Sequence, residues 1–193
     1  AGPLETKTPS GWRDKMSSVR DFVLDSLQKE CSFKKDVDVD SINYIEEDID
    51  TARLINLKGT ENIAKACEKY DITMVYISTD YVFDGGVNEK RTIPYTPQDK
   101  IAPLNNYGLT KWEGEEAVRN NLEKYYICRT SWLYGHYGKN FVETMISLAD
   151  KPELKVVDDQ VGCPTWTVDL SDAIVKVIET KPYGTYHTCG GGS

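Results

Sequence analysis

The sequence predicts an α/β protein with a parallel sheet and helices on both faces. Met74–Ser78 and Tyr125–Arg129 are short, continuously apolar runs, which are typical of strands buried on both faces of a parallel sheet. These runs alternate with longer segments in which apolar residues recur at helical spacing. Because strands and helices alternate along the chain, the expected architecture is a sheet covered by helices.

The first part of the chain is predicted to contain two helices. Ser10–Cys31 is amphipathic, and Ser10 is a suitable N-cap for it. Its apolar positions are Trp12, Met16, Val19, Phe22, Val23 and Leu27. Lys35–Asp40 alternates acids with valines, which fits a short strand or a loop. Glu46–Tyr70 is the second helix, in which Gly59 and Thr60 mark a break or a close packing point.

The second part supplies the remaining elements. Residues 85–103 are rich in glycine, proline and charge, as a loop is. Apolar periodicity predicts helices at Asn106–Asn121, Asn140–Ala149 and Thr167–Thr180, and apolar runs predict further strands at Leu154–Val157 and Tyr183–Thr188.

Composition narrows the range of functions. The formal net charge of −8 argues against nonspecific nucleic-acid binding and against an anionic membrane surface. No apolar run approaches the roughly 20 residues of a membrane span, and no secretory signal is visible. The five cysteines are odd in number and lack metal-ligand spacing, so free thiols and a reducing, cytoplasmic location are expected. Scattered acids indicate a solvated surface rather than a metal site.

Polar residues follow both buried strands. Thr79, Asp80 and Tyr81 come after the first, and Thr130, Ser131 and Trp132 after the second. In an open parallel sheet, ligands bind beyond the carboxyl ends of the strands. These two clusters are therefore expected to meet at one site.

A tyrosine and a lysine on one predicted helix suggest acid–base chemistry. Tyr107 and Lys111 are four residues apart, which places both on one helix face. A neighbouring ammonium favours the phenolate and lowers the tyrosine pKa, so that the phenol becomes a usable general acid. The hydroxyl of Thr79 is then suited to polarise a carbonyl. Taken alone, such a pair more often marks a solvated helix face.

Several motifs in order resemble one enzyme family. They are Ile77-Ser-Thr-Asp-Tyr-Val-Phe-Asp-Gly85, Asn106-Tyr-Gly108 with Lys111, Arg129-Thr-Ser-Trp-Leu-Tyr-Gly135, Asp158-Asp-Gln-Val-Gly-Cys-Pro-Thr165 and Gly184-Thr-Tyr-His187. From about Glu46 to about Gly190 the chain resembles dTDP-4-dehydrorhamnose reductases, which are extended short-chain dehydrogenases with a Rossmann-like sheet. A polar turn contains Gln160, Gly162, Pro164 and Thr165. It either borders the pocket or is only a tight turn that needs glycine and proline.

The resemblance implies a reaction and roles for residues. It implies reduction of a dTDP-4-keto-6-deoxy sugar, as in dTDP-L-rhamnose synthesis, with hydride from NADPH or NADH, and it suggests a homodimer. Tyr107 would give the proton, Lys111 would hold the nicotinamide ribose, and Thr79 would bond the carbonyl. Ser78, Thr130 and Ser131 would lie near the cofactor. Asp80, Tyr81 and Trp132 would line the sugar pocket, although Trp132 also fits a core aromatic.

The chain departs from that family at both ends. The family's Gly-x-x-Gly-x-x-Gly turn, which cradles a pyrophosphate, does not occur before Glu46. The sheet is therefore expected to be an incomplete doubly wound one, and cofactor binding and turnover are expected to be impaired. We divide the chain into a divergent segment, 1–45, with its helix at about 10–31, a reductase-like core, 46–189, and a flexible tail, 190–193.

Two other functions stay open. One is a non-catalytic binding or regulatory protein, for which the regulatory subunit of methionine adenosyltransferase, similar to the same family, is a precedent. The other is a nucleotide-sugar epimerase, which the tyrosine–lysine helix alone would allow. The stretches that follow the two buried strands favour the reductase.

Overall fold

The computed structural model describes residues 42–87, 91–137 and 140–191. The predicted helix Ser10–Cys31 and the segment Lys35–Asp40 lie outside the described residues, as do the last two residues of the tail. The division of the chain near residue 45 therefore stays a prediction.

Six α-helices and five strands make up the described part of the chain. The helices are α1 (Ile42–Glu47), α2 (Ile49–Arg53), α3 (Thr60–Lys69), α4 (Asn106–Asn121), α5 (Phe141–Ser147) and α6 (Thr167–Thr180). The strands are β1 (Met74–Thr79), β2 (Tyr125–Thr130), β3 (Leu133–Tyr134), β4 (Thr165–Trp166) and β5 (Gly184–His187). A π-helix, Leu54–Gly59, joins α2 to α3, and a 3-10 turn, Asp80–Val82, follows β1.

The main sheet is parallel, as the sequence predicted. Its strand order is β1-β2-β5, with Thr79 opposite Thr130 and Arg129 opposite His187. Parallel pairing brings the carboxyl ends of all three strands to one edge. The α/β fold class is confirmed.

The long helix predicted at Glu46–Tyr70 is divided. Asp48 interrupts it, and its side chain accepts a hydrogen bond of 3.0 Å from the backbone N–H of Thr51 as the cap of α2. The predicted discontinuity coincides with the end of the π-helix at Gly59 and the start of α3 at Thr60. From Ile49 to Lys69 the helical turns follow one another without a gap.

The core lies between the sheet and the helices α3 and α4. Its buried members are Ala64, Cys67, Met74, Tyr76, Val118, Leu122 and Ile127. Helix α4 approaches β1 closely because Gly114 has no side chain: a Cβ there would lie 2.3 Å from the Tyr76 hydroxyl. On the opposite face, the Tyr126 hydroxyl donates to the carbonyls of Ile178 (3.3 Å) and Lys181 (3.0 Å) at the end of α6. Helices thus contact both faces of the sheet.

Two local predictions were wrong. Leu154–Val157 is not a strand, and its residues are exposed, because no neighbouring strand in the described part of the chain pairs with it. A second, two-stranded parallel sheet was missed: β3 pairs with β4, with Leu133 opposite Thr165. Strands of two residues carry too little pattern for recognition.

No helix in the described ranges is both long and apolar enough to cross a membrane. Cys67 and Cys128 are buried, as expected for small apolar side chains.

Candidate active site at the carboxyl ends of the strands

The first part of the site is the turn that follows β1. The Thr79 hydroxyl donates to the Asp80 carboxylate (3.1 Å) and accepts from the Tyr81 backbone N–H (3.3 Å). Burial raises the pKa of Asp80, against the hydrogen bond from Thr79, which lowers it. Thr79 and Thr130 are both buried and stand opposite each other in the sheet. The two polar clusters therefore meet at one edge, as the sequence predicted.

The second part of the site is the beginning of α4, which lies against this turn. The Asn105 side chain caps the helix by accepting from the Gly108 backbone N–H at 2.8 Å. A Cβ on Gly108 would lie 2.1 Å from the Tyr81 carbonyl oxygen, so glycine permits the contact. The rings of Tyr81 and Tyr107 meet edge to face at 5.6 Å between centroids. The turn after β1 and the helix start thus form one unit.

A carboxylate from another helix completes this helix start. Glu46 accepts from the backbone N–H groups of Tyr107 (2.9 Å) and Asn106 (3.0 Å) through its two carboxylate oxygens. Its own carbonyl accepts from the Asn106 side chain at 3.2 Å. A negative charge at a helix N-terminus is favourable. Sequence reasoning missed Glu46, and no local signal pointed to it, because its partners lie about sixty positions away.

The Tyr107 phenol is mostly enclosed between Thr79, Asp80 and Tyr81. Burial raises its pKa, a hydrogen bond with Thr79 lowers it, and the Asp80 carboxylate raises it further. The net direction is upward, opposite to the lowering that the Tyr–Lys spacing predicted. The phenol therefore carries its proton at neutral pH, but a raised pKa by itself makes it a weaker acid, so the shift does not support the acid role.

Lys111 lies one turn along α4 but points at β1. Its ammonium donates to the Ile77 carbonyl at 2.7 Å and stands 4.2 Å from the centroid of the Tyr76 ring. Burial lowers its pKa to about 8, although the Glu115 carboxylate opposes this. Lys111, which was expected beside the Tyr107 phenol, is thus held by β1, and this explains why the phenol pKa is not lowered.

Trp132 lies at the end of β2 in an uncommon conformation. Its φ is 44°, in the left-handed region, and its side chain is 40% exposed. That exposure does not fit the core aromatic that the sequence also allowed. Ser131 is buried and donates to the Cys163 carbonyl at 2.8 Å, so the residues after β2 are tied to the turn before β4.

Residues 30–193 match the RmlD substrate binding domain family. The chain belongs to the RmlD substrate binding domain family.

Named relatives agree with this assignment. The chain is 44% identical over 153 residues to the spore coat polysaccharide biosynthesis protein SpsK of Bacillus subtilis, covering 79% of this chain and 52% of that protein. It is 34% identical over 184 residues to the dTDP-4-dehydrorhamnose reductase of Sinorhizobium fredii, covering 91% of this chain and 59% of the relative. The chain therefore spans little more than half the length of these relatives.

Solved structures of the family share its fold. The dTDP-4-dehydrorhamnose reductase of Bacillus anthracis, crystallised in complex with NADP, is 42% identical with a TM-score of 0.73, over 88% of this chain and 60% of that one. The ortholog from Clostridium acetobutylicum is 45% identical with a TM-score of 0.72, over the same shares of the two chains. DesIV, a dTDP-glucose 4,6-dehydratase from Streptomyces venezuelae, has a TM-score of 0.66 at 20% identity and shares the fold.

In this RmlD substrate binding domain, a buried charge network lies behind the site. The Glu115 carboxylate receives two bonds from Arg129, at 2.8 and 2.7 Å, and one of 2.8 Å from Arg119. Arg129 also donates to the Pro97 carbonyl at 3.2 Å. Sequence reasoning missed this network. The usable signal was Arg129 at the end of a buried strand, because an arginine there requires a carboxylate partner.

The predicted cofactor contacts are only partly brought together. Ser78 is buried, and its hydroxyl has no hydrogen-bond partner within the described segments. The Thr130 hydroxyl is buried and has no hydrogen-bond partner within the described segments. Buried hydroxyls without partners are uncommon in folded proteins. Thr130 and Ser78 therefore both have the unused hydrogen-bonding capacity expected beside a ligand.

Proposed function

We propose that this chain forms the catalytic part of a nicotinamide-dependent reductase that acts on a dTDP-4-keto-6-deoxy sugar. The observation that carries the proposal is the enclosure of the Tyr107 phenol by Thr79 and Tyr81, one helical turn before the half-buried Lys111. A protonated phenol beside a hydroxyl suits reduction of a carbonyl. The dTDP-sugar and NADP named for its relatives supply the substrate and cofactor classes.

The reaction divides between cofactor and protein. The nicotinamide, when bound, supplies hydride to the carbonyl carbon of the sugar. Tyr107 gives its proton to the carbonyl oxygen, and the Thr79 hydroxyl holds that oxygen by a hydrogen bond. Asp80, Tyr81 and Trp132 line the sugar pocket. The ketone becomes an alcohol, with the proton drawn from the phenol.

The described residues fit one end of a dinucleotide. We assign the ribose contact to Lys111, whose ammonium lies against the Ile77 carbonyl of β1. The unpartnered hydroxyl of Thr130, followed by Ser131, lies at the end of the neighbouring strand. The pyrophosphate end requires a glycine-rich turn, and no Gly-x-x-Gly-x-x-Gly occurs in the 193 residues. We therefore expect weakened cofactor binding by this chain.

The test is a calorimetric titration with NADPH, followed by a reductase assay. Lys111→Ala should weaken binding, whereas Lys124→Ala, which removes a surface lysine paired with Asp71, should not. In the assay, NADPH absorbance is followed in the presence of the dTDP-4-keto sugar. Tyr107→Phe should abolish turnover without changing cofactor binding. Turnover by Tyr107→Phe at the parent rate would contradict the role of the phenol.

A non-catalytic binding protein is the second candidate. It predicts that the parent binds a dTDP-sugar but neither binds NADPH at millimolar concentration nor turns over. An epimerase would instead convert the sugar without net oxidation of NADPH.

Sedimentation of the purified chain tests the homodimer that also belongs to this proposal.

A further inference from the structure

The polar turn before β4 bears directly on Trp132. Among the described residues, Trp132 and Asp71 are the two non-glycine residues with positive φ. A bulky side chain in the left-handed region costs on the order of 1–3 kcal/mol, and such strain persists only where neighbouring structure enforces it. The contacts around Trp132 show which structure does so.

The turn is joined to the end of β2 on both sides of Trp132. The Trp132 carbonyl accepts from the Thr165 backbone N–H at 3.1 Å, and Ser131 donates to the Cys163 carbonyl at 2.8 Å. Immediately afterwards Leu133 pairs with Thr165 as β3 meets β4. These bonds fix the backbone on which the indole is mounted.

The indole itself rests on Gly162. A Cβ built on Gly162 would lie 2.9 Å from Cζ2, 3.1 Å from Cε2 and 3.2 Å from Cη2 of the Trp132 ring. Gly162 is not among the glycines with positive φ, which are Gly85, Gly86 and Gly184. The turn therefore does not need glycine for its backbone conformation. What glycine provides here is the close approach of the ring.

We propose that Gly162 is a positioning residue that sets the orientation of the Trp132 indole at the candidate site. Any side chain at 162 displaces the ring, because the nearest contact is already shorter than an aliphatic carbon permits. Through the ring, Gly162 determines which sugar the site accepts. This last step rests on the proposed function, in which Trp132 lines the sugar pocket.

The first experiment reads the ring directly. The chain has four tryptophans, so protein labelled with 5-fluorotryptophan gives four 19F resonances, and Trp132→Phe identifies one of them. Gly162→Ala should shift the Trp132 resonance and leave that of Trp112 in place. The matched control is Gly191→Ala, since a Cβ at Gly191 meets nothing within 4 Å. An unmoved Trp132 resonance in folded Gly162→Ala protein overturns the proposal.

The second experiment is a mutant cycle on affinity for dTDP-rhamnose, with dTDP as reference. Gly162→Ala should weaken dTDP-rhamnose binding by about tenfold while dTDP binding stays unchanged. In the Trp132→Phe background, where the smaller ring leaves room, the same change should cost less than about twofold. An equal loss in both backgrounds shows that Gly162 does not act through Trp132 and overturns the proposal.

The remaining outcomes are distinguishable. If Gly162→Ala alone does not fold, the double variant with Trp132→Phe should fold, because the smaller ring relieves the clash with the new Cβ. If neither variant folds, Gly162 is required by the backbone and the proposal is overturned. If the parent binds no dTDP-sugar, the proposed function fails, and the fluorine resonance alone then decides whether Gly162 positions the ring.

Discussion

Replacing Glu115 by alanine tests what holds α4 against the sheet. The Glu115 side chain is fully buried and the Arg129 side chain is 3% exposed, and two hydrogen bonds of 2.8 and 2.7 Å join them. Removal of the carboxylate leaves the guanidinium buried, with the Pro97 carbonyl at 3.2 Å as its remaining acceptor among the described residues. An uncompensated buried charge is expensive, so the loss of stability should be large.

The magnitude follows from comparison with a neighbouring acid. Breaking a buried ion pair by removing one partner costs about 3–5 kcal/mol. Glu116 on the same helix is 43% exposed and bonds Arg119 at 2.8 Å. An exposed pair of this kind contributes about 0–1 kcal/mol. Glu115→Ala should therefore destabilise the chain several times more than Glu116→Ala.

Urea unfolding followed by circular dichroism at pH 7 measures both losses. Burial alone would raise the pKa of Glu115, but hydrogen bonding and charge from Arg129 lower it overall. A lowered folded-state pKa adds stability above the unfolded value and loses it as pH falls through the folded value. The difference between the parent and Glu115→Gln should therefore shrink below about pH 4. Equal losses for Glu115→Ala and Glu116→Ala would refute the reasoning.

Three further predictions concern the helix start and its lysine. Glu46→Ala should speed hydrogen exchange at the Tyr107 amide and lower the free energy of unfolding by about 0.5–2 kcal/mol. The control, Glu47→Ala at an exposed position of the same helix, should do neither. The Lys111 ammonium should titrate near pH 8 in 15N NMR, since its pKa is lowered to about 8. Affinity for NADPH should then fall as pH rises through that value, because the lysine loses its charge. Constant affinity from pH 7 to 9 would contradict the proposed role of Lys111. Gly108→Ala should cost about 1–3 kcal/mol in urea unfolding, because its Cβ would lie 2.1 Å from a carbonyl oxygen, and an unchanged midpoint would show that α4 moves freely.

The sequence predicted those parts of the fold that a local pattern encodes. The buried runs at β1 and β2 ended within one residue of their observed limits, and the predicted bounds of α4 and α6 were those observed. Parallel pairing then follows from alternation, so the meeting of Thr79 with Thr130 was predictable as well.

The remainder depends on contacts between distant segments. Lys111 was expected beside the Tyr107 phenol, but a carbonyl of β1 within reach holds its ammonium instead. Spacing along a helix specifies a face and not the acceptor that the side chain finds there. For the same reason Glu46 and the Glu115–Arg129 pair escaped prediction, since partners on other elements decide their roles.

These contacts together explain how the protein itself holds the candidate site in shape. Helix α4 is held at its start by the Glu46 carboxylate, in its middle by the approach of Gly114 to Tyr76, and one residue later by the bond between Glu115 and Arg129. Each contact joins α4 to a different neighbour: α1, β1 and β2. Tyr107 and the lysine one turn later are therefore placed by the scaffold. A preorganised donor loses little free energy in reorganisation when a substrate arrives. In the proposed reductase, the part of the site that remains to discriminate between sugars is the Trp132 indole after β2, which is why its support on a bare glycine matters.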